Sequence, residues 1–252
     1  MADLPEPIPA ATLVLMRPSA DDAAPELLMM ERSATMAFAA GALVFPGGRI
    51  EPGDRDAAAA FPGTADAAAR IAAIRETIEE TGVAAGLSPA PDGATVAALR
   101  EGLSGGAAFT ALLDRAGLSL DLEALTPFAR WCPSFRETRR FDTLFFLAEA
   151  PAGLPSASAD STESVRTFWS SAADVLAEVE AGRAHVIFPT RRNLERLARF
   201  ASIDEARADA AFHPVRRITP WVEERGGRPH VCIPDDAGYP VTSEPLETAR
   251  RR

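Results

Sequence analysis

Three glutamates close together in the sequence could hold a metal ion, and they are Glu76, Glu79 and Glu80. At 100° per residue on an α-helix, positions 76 and 80 lie one above the other and position 79 lies beside them. Like charges at these spacings repel by about 0.2–0.5 kcal/mol per pair, and anions are unfavourable at the C-terminal end of a helix, which Gly82 marks. A hard divalent cation would remove both costs. Oxygen ligands of this kind suit Mg²⁺ or Mn²⁺.

The sequence around these glutamates predicts the helix that carries them. An apolar stripe lies roughly opposite the carboxylates and consists of Ile71, Ile74 and Ile78. One side of the helix therefore faces a core and the other carries the anions, and we place this helix near residues 67–82. Upstream, an apolar stretch predicts a strand that ends at Phe45. Gly47 and Gly48 follow in a loop where glycine allows close approach by a ligand.

The loop and the helix together resemble the Nudix box, G-x5-E-x7-R-E-U-x-E-E-x-G-U, in which U is an aliphatic residue. The matching residues are Gly48, Arg75, Glu76, Glu79, Glu80, Gly82 and Val83. Asp54 stands where the box has its first Glu, and Thr77 replaces an aliphatic residue. Residues 55–74 make twenty positions where the pattern has seven. An insertion in this loop, which we place at 55–66, is similar to the branch of Nudix hydrolases that contains the peroxisomal coenzyme A diphosphatases.

Two further segments are similar to the same branch. The segment from Arg32 to Gly48 resembles the coenzyme A recognition pattern LLTxR-S-x3-R-x3-G-x3-FPGG, with Ala37 in place of the second arginine. Arg139 and Arg140 lie at the end of a loop rich in arginine, where a predicted strand begins. Arginine is the residue best suited to bidentate phosphate contacts. The resemblance implies that Arg32, Arg139 and Arg140 bind the substrate. Alternatively, Arg32 is a surface charge at the end of a strand, and the loop with Arg139 and Arg140 is a solvated run of charges.

The resemblance implies an α/β Nudix fold, with a mixed curved sheet between helices, and a hydrolase of nucleoside diphosphates linked to another moiety. The favoured substrate is coenzyme A or acyl-coenzyme A, cleaved to 3′,5′-ADP and (acyl-)phosphopantetheine. The alternatives are an ADP-ribose or NADH pyrophosphatase and a non-catalytic nucleotide-binding module. The three box glutamates and the Gly48 carbonyl would hold Mg²⁺ or Mn²⁺, and Arg75 would orient Glu79. Glu79 and Glu163 are both candidates for the general base.

The chain is predicted to form a single domain over residues 11–235. Its parts are the box at 48–83, a helical insertion at 88–124, a C-terminal hairpin formed by residues 215–223 and 229–233, and loose termini at 1–10 and 236–252. The helical insertion can be interpreted as a lid over the cleft or as a packing element.

Composition and charge exclude several classes of function. The net charge of −10 opposes non-specific binding to nucleic acid or to an anionic membrane. Cys132 and Cys232 have no metal-ligand spacing, so neither a zinc site nor a disulfide framework is predicted. No apolar run approaches eighteen residues and the N-terminus is acidic, so we expect a cytoplasmic protein without a signal peptide or spanning helix. The expected partner is a small molecule, and a homodimer is left open.

Overall fold

The computed structural model describes residues 5–19, 24–33, 39–133, 140–152 and 164–249. Within these ranges the strands are β1 (Ile8–Arg17), β2 (Glu26–Arg32), β3 (Leu43–Val44), β4 (Gly47–Arg49), β5 (Leu87–Ser88), β6 (Ser119–Leu120), β7 (Thr126–Trp131), β8 (Phe141–Glu149), β9 (Ser164–Ser171), β10 (Arg217–Ile218), β11 (Trp221–Arg225), β12 (Arg228–Cys232) and β13 (Ser243–Pro245). The helices are α1 (Pro52–Ala58), α2 (Ala67–Thr81), α3 (Gly93–Ser104), α4 (Phe109–Ala116), α5 (Ala172–Glu180), α6 (Phe188–Leu197), α7 (Ile203–Phe212) and α8 (Leu246–Ala249), with a 3-10 turn at Leu122–Ala124.

A mixed sheet forms the centre of the fold. Its main path runs β10-β7-β8-β1-β2-β3, while β4 pairs with β1 and β9 pairs with β2. Strand β1 is parallel to β8, with Leu13 opposite Phe146, and antiparallel to β2 and β4. Smaller sheets are formed by β11-β12-β13 and by β5-β6. The predicted α/β class with a mixed sheet is confirmed.

The two faces of the large sheet bury different side chains, because successive residues of a strand point to opposite sides. On β1, Leu13 belongs to the same hydrophobic cluster as Ile74 of α2, whereas Val14 belongs to the cluster that contains Leu194 of α6. Strand β8 alternates in the same way. The sheet therefore lies between helices, as predicted, and α2 is held against one of its faces.

The predicted helical insertion at 88–124 contains α3 and α4. Both helices bury leucines in the cluster that includes the isoleucines of α2: Leu99, Leu103, Leu112 and Leu113. The insertion therefore packs beside α2. None of the helices in the described part of the chain is both long and apolar enough to cross a bilayer.

The prediction of a loose segment at 1–10 is wrong for its last residues, because β1 begins at Ile8. The Ile8 N–H donates to the Arg140 carbonyl at 2.8 Å, and the Pro9 carbonyl accepts from the Ile50 N–H at 3.0 Å. Proline cannot donate to a sheet, but its carbonyl can still accept. The prolines that suggested a loose segment are therefore compatible with this strand.

The insertion predicted at 55–66 begins inside a helix, because α1 extends to Ala58. Pro52 occupies the first turn of α1, where its missing N–H is harmless. The N–H of Glu51 donates to the Asp54 carboxylate at 2.8 Å. This contact fixes the start of α1 and the position of Asp54.

The predicted C-terminal hairpin is present as β11 and β12, although β11 begins at Trp221 rather than near residue 215. Strand β13 adds a third strand, so the prediction of a loose segment at 236–252 is wrong for its described residues. Tyr239 is buried, and its hydroxyl donates to the Asn193 Oδ1 atom at 2.8 Å. Glu244 is buried beside Arg192 of α6. The polar composition of this segment did not predict its packing, because its partners lie about fifty residues earlier in the sequence.

Candidate active site

Helix α2 presents the glutamates and fixes their direction. Its isoleucine stripe is fully buried against the sheet. The helix ends at Gly82, whose φ of 67° lies in the left-handed region that favours glycine. The Gly82 N–H donates to the Ile78 carbonyl at 2.9 Å. The last turn, which carries Glu79 and Glu80, is therefore closed at a defined residue.

Thr77, which replaces an aliphatic residue of the box, is accommodated by a hydrogen bond inside the helix. Its hydroxyl donates to the Ala73 carbonyl at 2.7 Å, and the Thr81 hydroxyl donates to the Thr77 carbonyl at 2.6 Å. Both threonines are buried. Because each hydroxyl has a partner, this departure from the box leaves no unsatisfied donor at these two buried positions.

The glycine loop contacts the acidic side of α2 directly. The Gly47 N–H donates to the Glu80 Oε2 atom at 2.8 Å. A Cβ atom placed on Gly48 would lie 2.3 Å from the Glu76 Oε1 atom, which is closer than any side chain permits. The loop backbone and two of the glutamates therefore occupy one site, and Glu76 can keep its present position only if residue 48 has no side chain.

Arg75 links the inserted segment to the acidic face of α2. Its guanidinium donates two hydrogen bonds of 3.0 Å to the Asp54 carboxylate, and one of 3.0 Å each to the Glu76 carboxylate and the Arg49 carbonyl. The expected ion pair with Glu79 is longer, at 3.6 Å. Burial by itself would lower the pKa of Arg75, but the hydrogen bonds with Asp54 and the charge of Glu76 raise it. Arg75 is therefore held mainly by Asp54 and Glu76 rather than by Glu79.

Glu76 is a buried carboxylate whose pKa is strongly raised. Burial raises its pKa to about 7, against the opposing charge of Arg75 and with a smaller contribution from the charge of Glu79. A carboxylate with such a pKa gains less from Arg75 than it loses by leaving water. An additional cation near Glu76 would stabilise its charged form.

The predicted substrate-binding residues lie on other strands. Arg32 ends β2, and Arg140 precedes β8 and donates to the Cys132 Sγ atom at 3.3 Å. The Nε atoms of both arginines are buried and have no hydrogen-bond partner among the described residues. Glu163 and Arg139 lie outside the described residues, as does Ala37.

A cleft of about 610 Å³ opens at the N-terminal end of α2. It is lined by residues that include Ile50, Phe61, Arg130, Asp142 and Arg217. Arg130 donates two hydrogen bonds of 2.8 Å to the Asp142 carboxylate. Asp142 thus partly neutralises the charges of Arg130 and Arg217, and the box glutamates do not line this cleft.

Comparison with known proteins assigns the family. The family model of the NUDT19 Nudix domain matches residues 54–197, which is more than half of the chain. The chain is a Nudix hydrolase. It is 26% identical over 277 aligned positions to the acyl-coenzyme A diphosphatase NUDT19 of Gallus gallus, covering 85% of this chain and 73% of that protein. A Nudix hydrolase structure from Alicyclobacillus acidocaldarius is 28% identical, with a TM-score of 0.71, covering 82% of this chain and 97% of that one.

Nudix hydrolases generally use divalent metal ions, and the donor chemistry of this site fits such an ion. Carboxylate and carbonyl oxygens are hard ligands, and the Gly48 backbone lies against Glu76. Among the described residues, no three acidic, histidine or cysteine side chains converge into a complete ligand set. Glu80 accepts from Gly47, and Glu76 accepts from Arg75. Each of these hydrogen bonds uses one oxygen of its carboxylate, so lone pairs on both glutamates are left for an ion.

Two residues of this Nudix hydrolase site were missed in the sequence. Asp54 was recognised as a box position, but not as the partner of Arg75, because nothing local relates residues separated by 21 positions. Arg100 of α3 donates to the backbone carbonyls of Glu79 and Glu80. Arg100 follows the buried Leu99 in α3, but nothing in the sequence indicates that its side chain binds backbone carbonyls.

Proposed function

We propose that this Nudix hydrolase cleaves a nucleoside diphosphate linked to another moiety, with water attacking phosphorus, and that its substrate is coenzyme A or an acyl derivative. The products would be 3′,5′-ADP and (acyl-)phosphopantetheine. The contact between the glycine loop and the acidic face of α2 supports the reaction. The similarity to an acyl-coenzyme A diphosphatase supports the substrate.

Each residue of the site has a role in this proposal. Glu76, Glu79, Glu80 and the Gly48 carbonyl would hold Mg²⁺ or Mn²⁺, which would neutralise charge on the diphosphate and lower the pKa of a bound water. Arg75 orients Glu76 through the hydrogen bonds described above. Because Gly47 and Gly48 have no side chains, the space between β4 and α2 is left to the glutamates. Glu79 and Glu163 remain the two candidates for the general base.

Arg32, Arg139 and Arg140 would bind the phosphate groups of the substrate. Arg32 and Arg140 support this role because each has a buried Nε donor without a hydrogen-bond partner among the described residues. A substrate phosphate would accept from such donors. Because Ala37 replaces the second arginine of the recognition pattern, one charge-assisted contact worth about 1.5–3 kcal/mol is absent. We therefore expect reduced discrimination for the 3′-phosphate.

The test is kcat/KM for coenzyme A, an acyl-coenzyme A, dephospho-coenzyme A, ADP-ribose and NADH in one Mg²⁺ buffer. Coenzyme A or its acyl derivative should be the best substrate, and Glu80→Gln should lower its rate at least about 100-fold. Glu101→Gln, an exposed residue of α3, is the matched control. A preference for ADP-ribose or NADH would overturn the substrate assignment. Wild-type rates in Glu80→Gln would overturn the proposed role of Glu80.

A further inference from the structure

The carbonyl groups at the C-terminal end of α2 need partners outside the helix. The last four carbonyls of any α-helix have no N–H donor within the helix. In α2 these carbonyls belong to residues 78–81. The Ile78 carbonyl accepts from the Gly82 N–H. The next two carbonyls belong to Glu79 and Glu80, which are two of the three box glutamates. Whatever binds these carbonyls also fixes the backbone of these glutamates.

Arg100 of the helical insertion binds both carbonyls. Its Nε atom donates to the Glu79 carbonyl at 2.9 Å, and its Nη2 atom donates to the Glu80 carbonyl at 3.0 Å. Leu99 and Leu103 anchor α3 in the core, so the position of Arg100 is set by the packing of the insertion against α2. The planar guanidinium suits two acceptors one residue apart, whereas an ammonium group has no fixed fork.

The charge of Arg100 also suits this position. The C-terminal end of a helix carries a partial negative charge, and the glutamates of the last turn add to it. A guanidinium at the same end opposes both effects. The insertion therefore supplies a cation and two hydrogen-bond donors at the C-terminal end of α2.

We propose that Arg100 is a positioning residue, which fixes the last turn of α2 and thereby the backbone of Glu79 and Glu80. This inference rests on the proposed function of the acidic face. On this proposal the helical insertion supports the active site, because it fixes the backbone positions from which the Glu79 and Glu80 side chains extend.

The test compares Arg100→Met and Arg100→Lys with Arg115→Met, an exposed arginine of the same insertion. In Arg100→Met, kcat should fall about 10- to 100-fold, as expected for two lost hydrogen bonds, while KM changes by less than about threefold. Mn²⁺ binding without substrate should weaken at least about fivefold. Arg100→Lys should recover part of both losses, and Arg115→Met should match wild type.

Hydrogen exchange gives a readout that needs neither metal nor substrate. The amides of Gly82 and Val83, which close α2, should exchange at least about tenfold faster in Arg100→Met than in wild type. Unchanged exchange with unchanged kcat would overturn the proposal. An unchanged kcat together with tighter Mn²⁺ binding would also overturn it, because Arg100 would then act only as a competing cation. If wild type failed to bind Mn²⁺ and hydrolysed none of the substrates, the proposed function would fail, whereas the exchange result would still test Arg100.

Discussion

A side chain at position 48 would collide with Glu76, because a Cβ atom there lies 2.3 Å from the Glu76 Oε1 atom. The carboxylate is the flexible end of its side chain, so we expect it to move aside without unfolding the protein. Gly48→Ala should lower kcat at least about 100-fold, as for a catalytic group displaced by about 1 Å. Its thermal midpoint should change by less than about 3 °C. Steady-state kinetics and calorimetry measure the two effects.

Two other glycines serve as controls for Gly48→Ala. No atom lies within 4 Å of the Cβ position at Gly63, so Gly63→Ala should leave activity unchanged. A Cβ atom at Gly47 would lie 2.4 Å from the Ala11 carbonyl oxygen, so Gly47→Ala should also lose stability, because the backbone must shift. Activity of Gly48→Ala within about tenfold of wild type would show that Glu76 does not depend on its present position.

Arg75 and Asp54 should act as a unit. Their side chains are only 9% and 2% exposed and share two hydrogen bonds, so removing either leaves a buried partner poorly compensated. Arg75→Ala and Asp54→Asn should each lower both the rate and the free energy of unfolding. The double variant should lose less than the sum, with a coupling energy of at least about 1.5 kcal/mol. Denaturant unfolding of the four proteins measures this coupling.

The matched control for this cycle is Asp56→Asn. Asp56 lies in the same helix, α1, but is exposed. Its combination with Arg75→Ala should be additive within about 0.5 kcal/mol. Additivity of Asp54→Asn with Arg75→Ala would contradict the role given to Asp54.

At the scale of elements, β13 is attached to α6 through a buried ion pair. Arg192 is 1% exposed and contacts Glu195 at 2.6 Å and Glu244 at 3.2 Å. Glu244→Ala removes one of these two carboxylates, so we expect the free energy of unfolding to fall by about 2–3 kcal/mol. For a chain of this size that corresponds to a thermal midpoint lower by about 5–10 °C. Calorimetry measures the shift.

Glu247→Ala is the control for Glu244→Ala, because Glu247 is close in sequence but exposed. Its thermal midpoint should equal that of wild type. Arg192 belongs to a helix on the sheet face opposite α2, so Glu244→Ala should keep its kcat at about 25 °C, where the protein is still folded. A large loss of kcat in the folded variant would show that the C-terminal sheet affects the active site.

At the scale of the whole molecule, Glu76 should make the metal-free protein less stable as the pH rises. Its pKa is about 7 in the folded protein, against an ordinary value of 4.5. The folded state therefore binds the proton more tightly than the unfolded state. The resulting stability is fully present below about pH 4.5 and is lost as the pH rises to about 7.

The measurement is the free energy of unfolding with a chelator present, at about pH 5 and about pH 8. Over this interval wild type should lose about 2–3 kcal/mol relative to Glu76→Gln, which cannot titrate at this position. Mg²⁺ should recover part of the loss at the higher pH, because a bound cation favours the charged carboxylate. Parallel pH profiles for the two proteins would show that Glu76 does not titrate in this range.

The sequence alone determined the features that depend on local spacing. The isoleucine stripe and Gly82 predicted α2 and its end, because helical periodicity and the left-handed conformation of glycine act over a few residues. The motif predicted the family and, through it, the mixed sheet between helices. The same spacing placed Glu76, Glu79 and Glu80 on one side of a helix, because residues three and four positions apart are neighbours on a helical surface.

Only the tertiary structure decided which groups hold these glutamates in place. Asp54 binds Arg75 across 21 residues, and Arg100 reaches backbone carbonyls that look identical in every sequence. The buried Trp131 donates a hydrogen bond to the Tyr239 hydroxyl, 108 residues later, so the C-terminal segment is ordered rather than loose. Such contacts form because chain folding brings distant donors and acceptors together in the interior, where each must find a partner. Local composition and periodicity carry no information about which partner that is.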